Sequence, residues 1–284
     1  MKWRTSGAVV CPSCGSLVGA REPRCPRCGR SSPGFWGFAP LLGWLGRGLA
    51  FEQILIGGCA ALYLATLVAD PSGIGMRGVF SLLAPSQWSL LLFGASGAVP
   101  VFGLHRWWTV LSAGWLHGSL LHVLFNVMWL RQLGPAIAQL YGGARMVIVY
   151  TVASVTGFVA SSAAGAFLAD LPRFLRGAGL TVGASAGIFG LLAALVHYGR
   201  RGGASAVGQQ AWTWAVVLFL LGFVMGGVDN WAHLGGYAGG YVAARWLDPL
   251  RPERADHLLV AVLALLLSAA AVVVSVVTGG SLGG

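Results

Sequence analysis

The sequence predicts an all-α polytopic membrane protein preceded by a small zinc ribbon, and three observations carry that expectation. Charged residues make up only 9% of the 284 residues and hydrophobic residues 56%, with a mean hydropathy of +0.75. An ordinary soluble domain is about 25% charged, so a water-facing surface cannot be built from this composition. Seven apolar stretches approach the ~20 residues that a helix needs to cross a bilayer. Four of the five cysteines fall in two C-x-x-C pairs near the N-terminus. With 44 Gly and 12 Trp, the composition also excludes a disordered chain, a collagen-like repeat and a disulfide scaffold.

Residues 1–34 are polar and Cys-rich. The opening MKWRTSGAVVCPSC lacks the continuous apolar core and small-residue cleavage site of a signal peptide, so the N-terminus is expected to be retained. Cys11-Pro-Ser-Cys14 and Cys25-Pro-Arg-Cys28 are each followed by a glycine, Gly15 and Gly29. A C-x-x-C puts two sulfurs on one tight turn, and two such turns complete the tetrahedral shell that Zn²⁺ prefers. About 34 residues bury too little core to fold unaided, so the metal would supply the folding energy. Four thiolates close the shell, which makes the site structural rather than catalytic and places the module in a reducing cytosol, where a cytosolic partner could meet it. The competing readings are two disulfides or a redox C-x-x-C. Residues 35–48 read as a linker, and Cys59 as a buried small hydrophobe.

The apolar stretches are 49–69, 115–140, 144–169, 181–198, 211–228, 230–247 and 257–277. The stretch 79–99 is broken by Pro85, Ser86 and Gln87, and charge decides how it is read. With seven spans and the N-terminus inside, the inner segments hold Lys2, Arg4, Arg21, Arg24, Arg27, Arg30, Arg47, Arg145, Arg200, Arg201, Arg245, Arg251 and Arg254. The outer loops hold Arg77, Arg106, Arg173 and Arg176, a division of 13 against 4 with Arg131 left inside a span. Counting 79–99 as a span gives 10 against 7. The positive-inside bias therefore favours 79–114 as a long outer loop, with Trp88, Trp107 and Trp108 in the headgroup region. The net charge of +10 is spread through these short gaps, so the partner it implies is the lipid bilayer and not nucleic acid. The expected location is a cell membrane, of the bacterial inner-membrane kind, crossed several times from a cytoplasmic N-terminus.

A polar side chain inside a span is costly, so each one is a functional candidate. The second span carries His117, His122 and Asn126, the fourth opens with Gly183-Ala184-Ser185-Ala186-Gly187, and the sixth opens with Asp229-Asn230-Trp231-Ala232-His233. All three clusters fall in the outer halves of even-numbered spans, at matched depth. His122 and Asn126, four apart, share a helix face, while His117 projects to nearly the opposite face and reads as an orienting residue. Small-residue repeats, Gly183-x-x-x-Gly187 and Gly236-x-x-x-Gly240 among them, allow spans four and six to approach closely. That approach would bring Ser185 to His233, the pairing in which imidazole takes the proton of an attacking hydroxyl. Asp229 lies a helical turn away, so a dyad is expected rather than a triad. Asn126, His122 and the Ser185 amide are the candidate oxyanion donors.

With these residues in hand, the chain resembles the rhomboid intramembrane serine proteases over about residues 50–248. The Gly-x-Ser-x element is Gly183-Ala184-Ser185-Ala186, the sixth span carries Ala232-His233-Leu234-Gly235-Gly236, and His117, His122 and Asn126 keep the family's H-x₄-H-x₃-N spacing. The resemblance implies a six-helix core at 49–248 with a water-filled cavity, and 257–277 as an added seventh helix. It implies Ser185 as nucleophile, His233 as base, and Asn126, His122 and the Ser185 amide as the oxyanion hole. Phe189 would stack under the histidine. The substrates would be transmembrane proteins cleaved near the outer face, with no cofactor for catalysis. Thr109 stands where the family usually has Arg, and Ala138-Gln139 where it often has a Glu that braces the first loop, so that loop is expected to be anchored differently. Two rivals remain. A catalytically silent relative that binds transmembrane segments for quality control typically lacks the Ser or the His. A transporter would show an inverted repeat or a carboxylate relay, and neither is visible here.

Overall fold

Long apolar segments become helices because, without water, the backbone must satisfy its hydrogen bonds within the segment. A computed structural model describes residues 7–41, 50–76, 78–172, 175–225 and 227–280. Lys2, Arg4, Arg47, Arg77 and Arg173 of the charge tally, and residues 42–48 of the expected linker, lie outside the described residues. A hairpin of β1 (Ala8–Val10) and β2 (Leu17–Gly19) comes first. It is followed by α1 (Phe51–Ala69), two short helices α2 (Gln87–Phe93) and α3 (Thr109–Ser112), and α4 (Leu120–Tyr141). Then come α5 (Gly143–Phe167), α6 (Ser185–Arg201), α7 (Ser205–Val224), α8 (Asn230–Trp246) and α9 (Ala255–Gly279).

Long helices thus occupy all seven apolar stretches, with some ends shifted from the hydropathy limits. The second begins at Leu120 instead of 115, because the Ser119 hydroxyl caps it by accepting from the His122 amide at 3.2 Å. His117 therefore sits in the turn before α4, and the helical projection that set it opposite Asn126 does not apply. The fourth begins at Ser185 instead of 181, and the fifth runs over Ser205–Val224 instead of 211–228. By length and apolarity α1, α5, α7 and α9 can each cross a membrane. The helical turns at Thr109–Trp115 and α4, bent by 90°, make a fifth candidate. At 17 residues each, α6 and α8 fall short of that length; α6 is enclosed by the other helices, whereas α8 keeps one exposed face of Leu234, Val242 and Trp246.

The 79–114 region stays outside the long helices for a local reason. The Ser86 hydroxyl caps α2, accepting from Ser89 N at 3.1 Å, and Gly94 at φ +98° ends it seven residues later. Trp107 is exposed, whereas Trp108 turns inward.

The centre of the bundle is α5, α6 and α8, whose mutual contacts are the most extensive in the chain. Gly190 of α6 faces Gly240 of α8, and Gly236 lies on the Ala186 backbone. The small-residue repeats place α6 on α8 as expected. They do not announce α5, which meets α8 through Gly157 and through Thr156, whose hydroxyl donates to the Gly235 carbonyl at 3.0 Å. The connector before α9 is pinned to the start of α5. Arg145 N donates to Glu253 at 3.0 Å, and burial pushes the Glu253 carboxyl above its ordinary range against the opposing pull of Arg145.

Candidate active site and cysteine cluster

Four elements bring the polar clusters together. The chain reaches Ser185 through an extended segment held by the 79–114 loop. Ser96 and Thr181 exchange backbone bonds at 3.0 and 2.8 Å, and Gly183 N donates to the Ala113 carbonyl at 3.0 Å. Ser185 is then the first residue of α6. Its amide has no intrahelical acceptor and lies at the positive end of the helix dipole, which suits it to receive negative charge.

His233 enters from the first turn of α8, its imidazole Nε2 2.9 Å from Ser185 Oγ. Phe189, one turn along α6, stacks on the imidazole with ring centres 4.2 Å apart and planes at 15°. Among the described residues His233 Nδ1 has no hydrogen-bond partner. Asp229 is turned away from it, capping α8 through Ala232 N at 3.0 Å and accepting from the Ser161 hydroxyl. With Nδ1 carrying the proton of a neutral imidazole, Nε2 is left to accept from the serine.

His122 presents its ring from the first turn of α4. The Gly118 amide donates to Nδ1 at 3.3 Å, which makes Nδ1 the acceptor and leaves Nε2 as the N–H donor of the neutral ring. A Cβ on Gly183 would stand 2.7 Å from that Nε2 and 3.7 Å from Ser185 Oγ, so the imidazole edge and the hydroxyl border the same small space. Gly183 takes φ +136°, a region that disfavours side chains, and its missing side chain is what leaves room for His122. Asn126 is buried with Nδ2 on the His122 carbonyl at 2.8 Å, leaving its second amide hydrogen free of that bond. His117 is fully buried, edge-on to His122 at 5.1 Å.

Gly118 and Ala113 escaped the sequence reading. A His three residues after a capping Ser is a visible pattern, and it hints at Gly118. Nothing local predicts that Ala113 meets Gly183.

At the other end of the sequence, the two knuckles repeat one geometry. Gly15 N bonds the Cys11 carbonyl and Gly29 N the Cys25 carbonyl, both at 2.9 Å, with φ of +74° and +73° at the two glycines. Cys11 Sγ is 3.7 Å from Cys28 Sγ, Cys14 Sγ is 3.6 Å from Cys25 Sγ, and all four sulfurs lie within 4.8 Å of one another. No disulfide joins them. Sulfurs about 2.3 Å from a tetrahedral metal stand roughly 3.8 Å apart, so the cluster can hold a metal ion. The Ser16 hydroxyl, 3.3 Å from Cys14, and the Ser16 amide lower the pKa of that thiol, while burial and the three neighbouring cysteines push Cys28 up, so without a cation the four sulfurs do not all ionise together. Purified protein is expected to carry about one equivalent of metal by elemental analysis, and Cys25→Ser to lose most of it. A metal-free chain whose residues 7–34 resist protease would refute the assignment.

The chain is similar to known proteins over its helical part. A family model described as the Rhomboid domain matches residues 104–249. Rhomboid protease GluP of Bacillus subtilis (strain 168) is 30% identical over 184 residues, 63% of this chain and 34% of that protein. RHOMBOID-like protein 1 of Arabidopsis thaliana is 29% identical over 177 residues, 61% of this chain and 42% of that protein. Inactive RHOMBOID-like protein 8 of the same plant is 27% identical over 164 residues, 55% of this chain and 42% of that protein. The matched part therefore spans about a third to two fifths of the length of these relatives.

Proposed function

Because the chain belongs to the rhomboid family, a family of multi-pass membrane proteins that includes proteases, we propose that it is an intramembrane serine endopeptidase working through Ser185 and His233. The observation that carries this reading is the 2.9 Å approach of His233 Nε2 to Ser185 Oγ under the stacked Phe189 ring. In the reaction, Ser185 Oγ attacks the scissile carbonyl carbon while its proton passes to His233 Nε2. The carbonyl oxygen, now negative, is met by the Ser185 amide, the His122 Nε2–H and the free amide hydrogen of Asn126. His233 then returns the proton to the departing amine as the C–N bond breaks, leaving an acyl ester on Ser185. Water, deprotonated by His233, cleaves that ester and restores the serine. His117 packs against His122 and keeps its ring upright.

The substrates are transmembrane segments cleaved near the outer face. The N-terminus is cytoplasmic, as in a bacterial inner membrane, and the four cysteines hold structural Zn²⁺ where a cytosolic partner can reach it. The test is direct. Purified protein in detergent is expected to cleave a transmembrane model substrate and to be labelled at Ser185 by a fluorophosphonate. A folded protein that does neither is a silent transmembrane-segment binder, and the protease reading is then wrong.

A further inference from the structure

Arg106 is buried, at 4% exposure, with no carboxylate among its described partners. Its guanidinium donates instead to the Leu91 carbonyl at 2.8 Å and to the Ser275 carbonyl at 2.7 Å. Leu91 lies in the last turn of α2 and Ser275 near the end of α9. Both carbonyls lie towards the C-terminal ends of their helices, where the dipole is negative, and the guanidinium adds to bonds they already accept, from Gly94 N at 3.2 Å on Leu91 and from the Thr278 hydroxyl at 3.5 Å on Ser275. One cation thus joins two helix ends. Trp108 reinforces the junction: its indole N–H donates to Ser275 Oγ at 3.0 Å, and the guanidinium lies 5.9 Å from its ring centre. Ser275 is itself fully buried against Gly94.

From Arg106 the chain leads on to the active site. The Arg106 carbonyl accepts from the Thr109 hydroxyl at 2.7 Å, and the Ser112 hydroxyl donates to the Gly94 carbonyl at 2.7 Å. Ala113 then accepts from Gly183 N, two residues before Ser185. On the other strand of the loop, Ser96 pairs with Thr181. From Ser275 to Ser185 the contacts are continuous, and every link is a hydrogen bond or one short stretch of backbone.

We propose that α9 positions the nucleophile: Arg106, clamped to the Ser275 carbonyl, fixes the 79–114 loop, and the loop fixes the Thr181–Gly183 segment that delivers Ser185 to His233. The inference rests on the protease reading for its catalytic consequence and on the hydrogen bonds alone for its structural one. It also accounts for the departures at Thr109 and Ala138. The loop is held by the added helix, through an arginine three residues earlier in the chain. Arg106 and Ser275 are positioning residues, since neither contacts the reacting atoms.

The test uses the full chain in detergent and in vesicles, with Arg106→Lys, Arg106→Ala and Ser275→Ala. In variants that keep the wild-type melting midpoint, Arg106→Lys and Arg106→Ala are expected to lower kcat and the rate of fluorophosphonate labelling by about tenfold to a hundredfold, with KM changed less than twofold. Ser275→Ala, which removes only the Trp108 acceptor, is expected to have a smaller effect in the same direction. Hydrogen exchange is expected to quicken at residues 181–185 while the α5 and α8 amides stay protected. Folded Arg106 variants with wild-type kcat and unchanged exchange at 181–185 would overturn the proposal. Should Arg106→Ala fail to fold, Arg106→Lys and Ser275→Ala decide by the same two readouts. If wild-type protein neither cleaves nor labels, the protease reading fails while the exchange comparison still decides the clamp.

Discussion

His233→Ala, with Ser185 left in place, is expected to lower the turnover of a transmembrane substrate by about four orders of magnitude or more. A serine hydroxyl is a weak nucleophile until a base takes its proton, and His233 Nε2 at 2.9 Å is the base the fold supplies. Asp229 cannot substitute, because its carboxylate is committed to Ala232 N and Ser161. Ser185→Ala is expected to lose as much. The informative variant carries both changes: two groups that act as one unit lose their contribution once, so the double variant falls no further than either single one. Losses that multiply would show that the two residues act independently, and the dyad would be wrong. Removing the imidazole also empties the space against Phe189, so each variant is to be compared at a temperature well below its melting midpoint.

Gly183→Ala has the second largest expected effect, reached by a different route. The new methyl would stand 2.7 Å from His122 Nε2 and 2.8 Å from Cε1, and the backbone at φ +136° resists any side chain. The ring must therefore swing away from the oxyanion position. Loss of one such donor costs about 3 kcal/mol, or 10²- to 10³-fold in kcat. The double variant with His122→Ala separates this cause from general disorder, since the two losses overlap if Gly183 acts by making room for His122. A Gly183→Ala protein that turns over within threefold of wild type would remove His122 from the oxyanion hole.

How much of the site was legible depended on whether a residue acts locally or across the bundle. Ser185, His233, His122 and Asn126 stand out because polar groups are conspicuous in apolar spans, whereas Phe189 is expected only through the family resemblance. The cysteine knuckles were legible for a similar reason: C-x-x-C followed by Gly encodes a turn in five residues. Helix ends were less legible. Ser119 starts α4 five residues later than hydropathy suggests and moves His117 off the helix, a capping effect that an apolar count ignores. The burial of Arg106 within the 79–114 loop is not legible either, because sequence alone does not reveal that the ends of two helices converge on it.

The sequence by itself determined that this chain lives in a membrane, that seven long helices follow a four-cysteine module, and which polar residues had to be sheltered together. Each of those conclusions rests on a local quantity: transfer cost per residue, helix length, or ligand spacing. Only the tertiary structure decided that α5 completes the core beside α6 and α8, that Gly183 yields its side-chain space to His122, and that α9 reaches Ser185 through Arg106 and the 79–114 loop. These depend on contacts between residues up to 169 positions apart, as between Arg106 and Ser275. Small residues and backbone carbonyls form most of those contacts, and neither advertises its partner in a hydropathy pattern.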